Sequence, residues 1–326
     1  MTLLLTRGDV AGLMRPSDYL EAVEAGFRAG EDQRAAAPPP LALPGEGGTF
    51  HAKAALLRQG RTYAALKLNA NFPDNRAGLP TVQGAILLCD GGNGALLAVI
   101  DSIEVTLRRT AAASALAARR LARPDAATLL VCGCGAQGQA HVEALGEVLG
   151  LRRCFAWDRD FGRAEAFAAA RRREGLDSVA VEDVESAAAA SDVIVACTPA
   201  RSPYLEADLV RPGSFVAAVG ADSPEKNELH PALMARARVV VDVLAQCLEM
   251  GDLRHAVRAG AMRPQDVHAG LGAILVGTAP GRTSDDEVFV FDSTGTALQD
   301  VASAAALYER ACRRGGHAEF DFGAPR

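Results

Sequence analysis

The chain has 326 residues, 49% of them hydrophobic, with a formal net charge of −6, a mean hydropathy of +0.07 and a pI near 5.6. That length suits one large domain or, better, two, each with a core of its own. The acidic balance, with no Lys/Arg run longer than Arg171–Arg173, argues against nucleic acid or an anionic membrane as partner. No apolar run approaches a membrane span, and the opening MTLLLTRGDVAGLM has too short an apolar stretch for a signal peptide.

In chain order, PSDYLEAVEAGFRAG (16–30) carries apolar residues at helical spacing and predicts a helix with Gly30 as its C-cap. APPPLALP (37–44) reads as rigid and extended, since each proline restricts itself and the residue before it. TYAALKLNANF (62–72) and GAILLCD (84–90) read as strands, and NGALLAVID (93–101) follows a GGN turn, so 84–101 reads as a hairpin. The first hundred residues are therefore expected to be strand-rich and antiparallel. EVTLRRTAAASALAARRLA (104–122) predicts a long helix ending at Arg123-Pro124. Beyond it, near-continuous apolar strands alternate with helices, which implies a parallel sheet covered on both faces. The fold class is α/β: a Rossmann-type doubly wound sheet over 117–300, and a strand-rich α+β domain over 1–116 completed by 301–326.

Seven cysteines are present. Cys132 and Cys134 lie in a glycine loop; Cys89, Cys154, Cys197, Cys247 and Cys312 sit among apolar residues. They read as small buried hydrophobes in a reducing, cytoplasmic setting. The six histidines are dispersed, and no Cys/His cluster has metal-ligand spacing, so no metal site is expected.

LLVCGCGAQG follows a strand and opens a helix, which places Gly133, Gly135 and Gly138 in the positions of a dinucleotide fingerprint, with Ala136 and Gln137 between them. Asp158 lies twenty positions after Gly138, at the end of the next strand, where a carboxylate can bind the adenosine ribose and favour NAD. Arg159 follows it and could instead pair a 2′-phosphate, so NADP stays open. Thr198 and Pro199, in CTPARSP, sit at a strand's carboxyl end, either beside the cofactor or in an ordinary turn.

Three residues carry candidate chemistry. Lys67, flanked by apolar residues in a strand, is costly to bury without a partner or a task; alternatively it faces solvent on an edge strand. Arg109, near the start of the 104–122 helix, could grip a carboxylate through two parallel hydrogen bonds, or be a solvated helix arginine. Asp222 lies just beyond a strand end and could bind an amine or move a proton, or cap a helix starting at Pro224.

RTAAA (109–113), CGCGAQGQA (132–140), VGADSPEKNEL (219–229) and FDSTGTALQD (291–300) occur in this order. Together they resemble the ornithine cyclodeaminase/mu-crystallin family over nearly the whole chain. The resemblance implies a two-domain, usually dimeric protein with a Rossmann domain. It implies Lys67 and Asp222 as catalytic residues and Arg109 as the substrate-carboxylate contact. Thr110, Val219, Gly220, Thr294 and Gly295 would lie at the cofactor. Two departures stand out: no arginine occurs between Arg34 and Arg58, and FHAKAAL replaces a Met-Pro pair. Lys53, with His51, is expected to take over that substrate contact.

The family implies hydride exchange between an amino acid's α-carbon and nicotinamide, through an imine. An amino-acid dehydrogenase or imine reductase stops there; an ornithine cyclodeaminase goes on to expel ammonia and return the hydride. A mu-crystallin-like member would bind NADP without turnover. A dibasic substrate would want a further carboxylate, for which Asp101 and Glu104 are candidates by proximity, while Lys53 disfavours such a substrate. The expectation is therefore an NAD(P)-dependent dehydrogenase or imine reductase.

Overall fold

The structure is a computed structural model that describes residues 1–75 and 78–323. Two compact units divide it: Met1–Arg109 with Thr296–Arg326, and Thr110–Gly295. The expected boundaries at 116/117 and 300/301 move to 109/110 and 295/296. The cause is the helix Ala297–Arg314, whose first turn supplies Gln299 and Asp300 as partners of Arg109 and so belongs wholly with the N-terminal residues.

The first unit is built on an eight-stranded sheet. Its path runs Ala318–Phe320, Thr2–Leu5, Leu96–Asp101, Val82–Asp90, Arg61–Asn71, Gly48–Gln59 and Ala35–Ala36, with Leu41–Gly45 paired to Gly48–Gln59. All neighbours are antiparallel except Thr2–Leu5 against Leu96–Asp101. The proline-rich segment thus ends as an edge strand, where Pro44 needs no donor in the ladder. Strand Arg61–Asn71 alternates as a two-faced strand must: Tyr63, Ala65 and Lys67 are buried, whereas Leu66 and Leu68 face outward.

Helices Pro16–Glu31 and Ala297–Arg314 pack together, the latter also against strands Gly48–Gln59 and Arg61–Asn71. The first helix continues past Gly30, and Asp32 is its C-cap. Gly30 instead lies close against the neighbouring helix: a Cβ there would come 3.0 Å from Leu298 Cδ1. The left-handed residue beyond this helix is Gln33, at φ 56°.

The second unit holds an all-parallel eight-stranded sheet. Its order is Asp177–Ala180, Arg153–Trp157, Thr128–Cys132, Val193–Ala196, Phe215–Ala218, Phe289–Asp292, Arg238–Val241 and Ala269–Gly270. The order reverses between Thr128–Cys132 and Val193–Ala196, and such a reversal opens a ligand crevice at the strands' carboxyl ends. Strand Phe289–Asp292, absent from the sequence reading, inserts between Phe215–Ala218 and Arg238–Val241 and is fully buried. All seven cysteines are free; Cys312 is exposed and Cys89 and Cys197 half-buried, contrary to the expectation of burial throughout. Among the described residues no helix is long and apolar enough to cross a membrane.

Candidate active site

In the second unit the glycine loop joins strand Thr128–Cys132 to helix Ala136–Gly146. Gly133 has φ 104°, and a Cβ on it would lie 2.8 Å from the Cys197 carbonyl oxygen. A Cβ on Gly138 would overlap the Gly133 carbonyl, so the helix can close on the strand only with glycine there. Gly135, the N-cap, meets nothing, and no side chain caps the helix. Gln137 keeps a buried side-chain oxygen without a partner among the described residues. A positive-φ turn, a close-packed helix start and an uncapped, open N-terminus fit a dinucleotide pyrophosphate.

Asp158 accepts hydrogen bonds from the Cys134 amide at 2.9 Å and the Asp160 amide at 3.0 Å, which holds its carboxylate against the loop. Arg159 is exposed beside it.

Thr198 and Gly220 end adjacent strands, and one buried carboxylate ties them together. Glu228 Oε1 accepts from the Thr198 amide and hydroxyl, each at 2.7 Å, and from the Tyr204 hydroxyl at 2.8 Å. Its Oε2 accepts from the Gly220 amide at 2.8 Å. Burial, reinforced by the nearby Asp252 charge, pushes Glu228 up to about 7. Pro199 is exposed in the same turn, while Val219 is buried, its amide bonded to the Ala196 carbonyl.

Asp222 is exposed and pairs with Lys226 at 2.5 Å. No helix starts at Pro224, so the capping alternative falls away. Thr294 and Gly295 follow the inserted strand; Asp242 accepts from the Gly295 amide at 2.6 Å and the Ser293 hydroxyl at 3.0 Å. Thr110 is buried at the start of this unit.

In the first unit Lys67 lies on a central strand with its side chain turned inward and only 3% of the residue exposed, which removes the solvent-face alternative. Its Nζ is 2.6 Å from Asp300 Oδ2 and 3.4 Å from Thr106 Oγ1. Arg109, 4% exposed, donates from Nε to Asp300 Oδ1 at 3.0 Å and from a terminal nitrogen to Gln299 Oε1 at 2.8 Å. It is therefore no solvated helix arginine. Gln299 Nε2 is buried without a partner among the described residues. Lys53 sits directly across the ladder from Lys67, and His51 across from Asn69, which puts both on the inner face.

Burial pushes the Lys67 ammonium down to about 7; Arg109 and Lys53 push the same way and Asp300 opposes them. Burial alone would raise Asp300, but Lys67, Arg109 and Lys53 outweigh it and hold its carboxyl below the ordinary range. The cluster is a lysine poised at neutrality beside a partly engaged arginine.

Asp300 and Glu228 were not singled out in the sequence, although both lie inside the quoted motifs. Asp101 and Glu104, considered for a distal amine, serve the helix Ser102–Leu121 instead. Asp101 accepts from the Ile103 and Glu104 amides, and Glu104 pairs with Arg108 at 2.8 Å.

The open glycine loop of the parallel sheet fits a dinucleotide, and the buried Lys–Asp–Arg cluster of the first unit is a proton-handling constellation; each is a feature of dinucleotide-dependent enzymes. The model of the ornithine cyclodeaminase/mu-crystallin family matches residues 1–315, and the chain belongs to that family. It is 38% identical over 311 residues to the alanine dehydrogenase of Archaeoglobus fulgidus, covering 95% of each chain. An archaeal alanine dehydrogenase dimer with bound NAD superposes with a TM-score of 0.95 at 36% identity, covering 98% of this chain and 99% of the other. The iminosuccinate reductase of Paracoccus denitrificans in complex with NAD+ gives a TM-score of 0.91 at 33% identity, over 98% and 99% of the two chains.

Proposed function

We propose that this chain is an NAD-dependent amino-acid dehydrogenase or imine reductase acting on the C–N bond of a small amino or imino acid. The observation that supports this reading is the buried Lys67–Asp300–Arg109 cluster, in which a lysine amine and an arginine guanidinium share one carboxylate. NAD supplies the hydride carrier. Gly133, Gly135, Ala136, Gln137 and Gly138 hold its pyrophosphate and Asp158 its adenosine ribose; Thr110, Thr198, Pro199, Val219, Gly220, Thr294 and Gly295 face the remainder.

Arg109 takes the substrate carboxylate, with Lys53 and His51 contributing. Lys67 gives a proton to the substrate nitrogen in reduction and removes one in oxidation. Asp222 binds the substrate amine or moves its proton. Lys53, across the ladder from Lys67 on the inner face, disfavours a distal substrate cation and with it cyclodeamination of a diamino acid. Retention of Lys67 and Asp222 supports catalysis over mere cofactor storage.

The test is NADH absorbance with purified protein and a panel of 2-oxo acids plus ammonia, and of cyclic imino acids. Consumption with a panel member is expected; silence, with ammonia release from ornithine, would establish the cyclodeaminase instead. Asp158→Ser is expected to weaken NADH binding relative to NADPH by about tenfold, the loss of one or two charge-assisted hydrogen bonds. An unmoved ratio of the two dissociation constants would remove Asp158 from the ribose contact, leaving exposed Arg159 to mark an NADP site.

The chain acts as a homodimer in the cytoplasm, where its seven free thiols stay reduced. The outward sheet face supports the dimer. Leu66 and Leu68, each 46% exposed, lie beside Leu87 and Ala52 in the ladder, with Phe50 also exposed nearby. Leu66→Glu is expected to convert the dimer to monomer by light scattering while leaving the inner face folded; an intact dimer would place the interface elsewhere.

A further inference from the structure

Thr198 and Gly220 stand at the ends of neighbouring parallel strands, yet neither turn is held by the sheet alone. Both hang on one side chain that solvent does not reach. Glu228 is fully buried and uses one carboxylate oxygen for three donors from the Thr198 turn and Tyr204, and the other for the Gly220 amide. The fit is close: a Cβ on Gly220 would overlap both Glu228 Oε2 and the Thr198 carbonyl oxygen. Glu228 is itself fixed from behind, because Asp252 Oδ1 accepts from the amides of Glu228 at 2.8 Å and Leu229 at 2.9 Å. Asp252 in turn sits on a segment whose Leu253 amide donates to Asp292 at 2.9 Å. A buried carboxylate that accepts four hydrogen bonds is a stiff joint: opening it strips an acceptor from all four donors and leaves the Gly220 amide only its longer 3.2 Å bond to the Ala196 carbonyl.

We infer that Glu228 is a positioning residue for the dinucleotide: it locks the Thr198 and Gly220 turns into the one arrangement that receives the cofactor beyond its ADP part. Glu228 touches no ligand and acts only through the two turns. The inference rests on the dinucleotide reading of this unit. The ADP part is assigned to the glycine loop and Asp158, which Glu228 does not touch, so the two halves of the cofactor report separately. Glu228→Gln keeps the shape but replaces one acceptor oxygen with an NH2 group, which leaves either the Gly220 amide or the Thr198 turn facing a donor.

The experiment measures the affinity of full-length wild type, Glu228→Gln and Tyr204→Phe for NADH, by nicotinamide fluorescence, and for ADP, by calorimetry. NADH binding is expected to weaken at least about tenfold in Glu228→Gln and by a smaller factor in Tyr204→Phe, the loss of one acceptor and of one donor respectively. ADP binding is expected to stay within about twofold of wild type in both. Equal weakening of NADH and ADP would reduce Glu228 to a general structural role and overturn the inference, as would unchanged NADH binding. Should Glu228→Gln fail to fold, Tyr204→Phe decides, because it keeps the ring stacked 5.0 Å from Trp157 and deletes one hydroxyl. A wild-type protein that binds neither ligand would sink the dinucleotide reading itself, a result separable from the others.

Discussion

Asp300→Asn is expected to destabilise the first unit by about 3–5 kcal/mol, the cost of leaving buried charge without its partner. The expectation follows from what surrounds that carboxylate: Lys67 on one oxygen, Arg109 on the other, all three side chains nearly inaccessible. The two cations respond differently. Lys67 can shed its proton, because Asp300 is the charge that opposes its downward shift. Arg109 cannot, so its charge stays buried against an uncharged amide. Against a typical total of about 5–15 kcal/mol, such a loss is readable as a lowered denaturant midpoint in the transition of this unit. A change under about 1 kcal/mol would mean that water or another group already compensates Arg109.

The second large effect concerns Lys67. A group at about 7 that donates a proton in reduction makes kcat/KM fall as pH rises through about 7; in oxidation the neutral amine is the useful form, and the limb rises instead. Lys67→Arg keeps a charge that does not titrate near neutrality, so that limb should vanish and turnover should drop about a hundredfold to ten-thousandfold. Asp300→Asn, where it folds, should move the limb to lower pH, since the attraction that holds the Lys67 proton is gone. A limb that survives Lys67→Arg at the same pH would assign the titration to another group.

The parts of this molecule that were legible in its sequence are those that local physics dictates. Gly133 must be glycine because its φ is positive, and Gly138 because a carbonyl stands where its Cβ would be. The buried apolar strands of the second unit announce a parallel sheet by composition alone. Lys67 was conspicuous because an ammonium between apolar neighbours needs a reason. Its reason was not visible: the carboxylate that Lys67 shares with Arg109 lies 191 positions beyond the arginine, on a helix that only tertiary packing brings back. Glu228 was hidden differently. Nothing local in NEL says that four donors converge on it. Gly30 misled because a glycine at a helix end suggests a cap, whereas here it lies close against Leu298.

The division of the chain into a continuous unit, Thr110–Gly295, inside a discontinuous one has a consequence for biosynthesis. A nascent chain ordinarily folds its N-terminal domain first. Here the N-terminal strands reach the ribosome exit long before the helix Ala297–Arg314 that covers them and carries Asp300. The inserted unit is complete by Gly295 and has all its strands to hand. On the growing polypeptide the order is inverted: the middle of the chain can close first, and the beginning waits for the end with Lys67 still unpartnered.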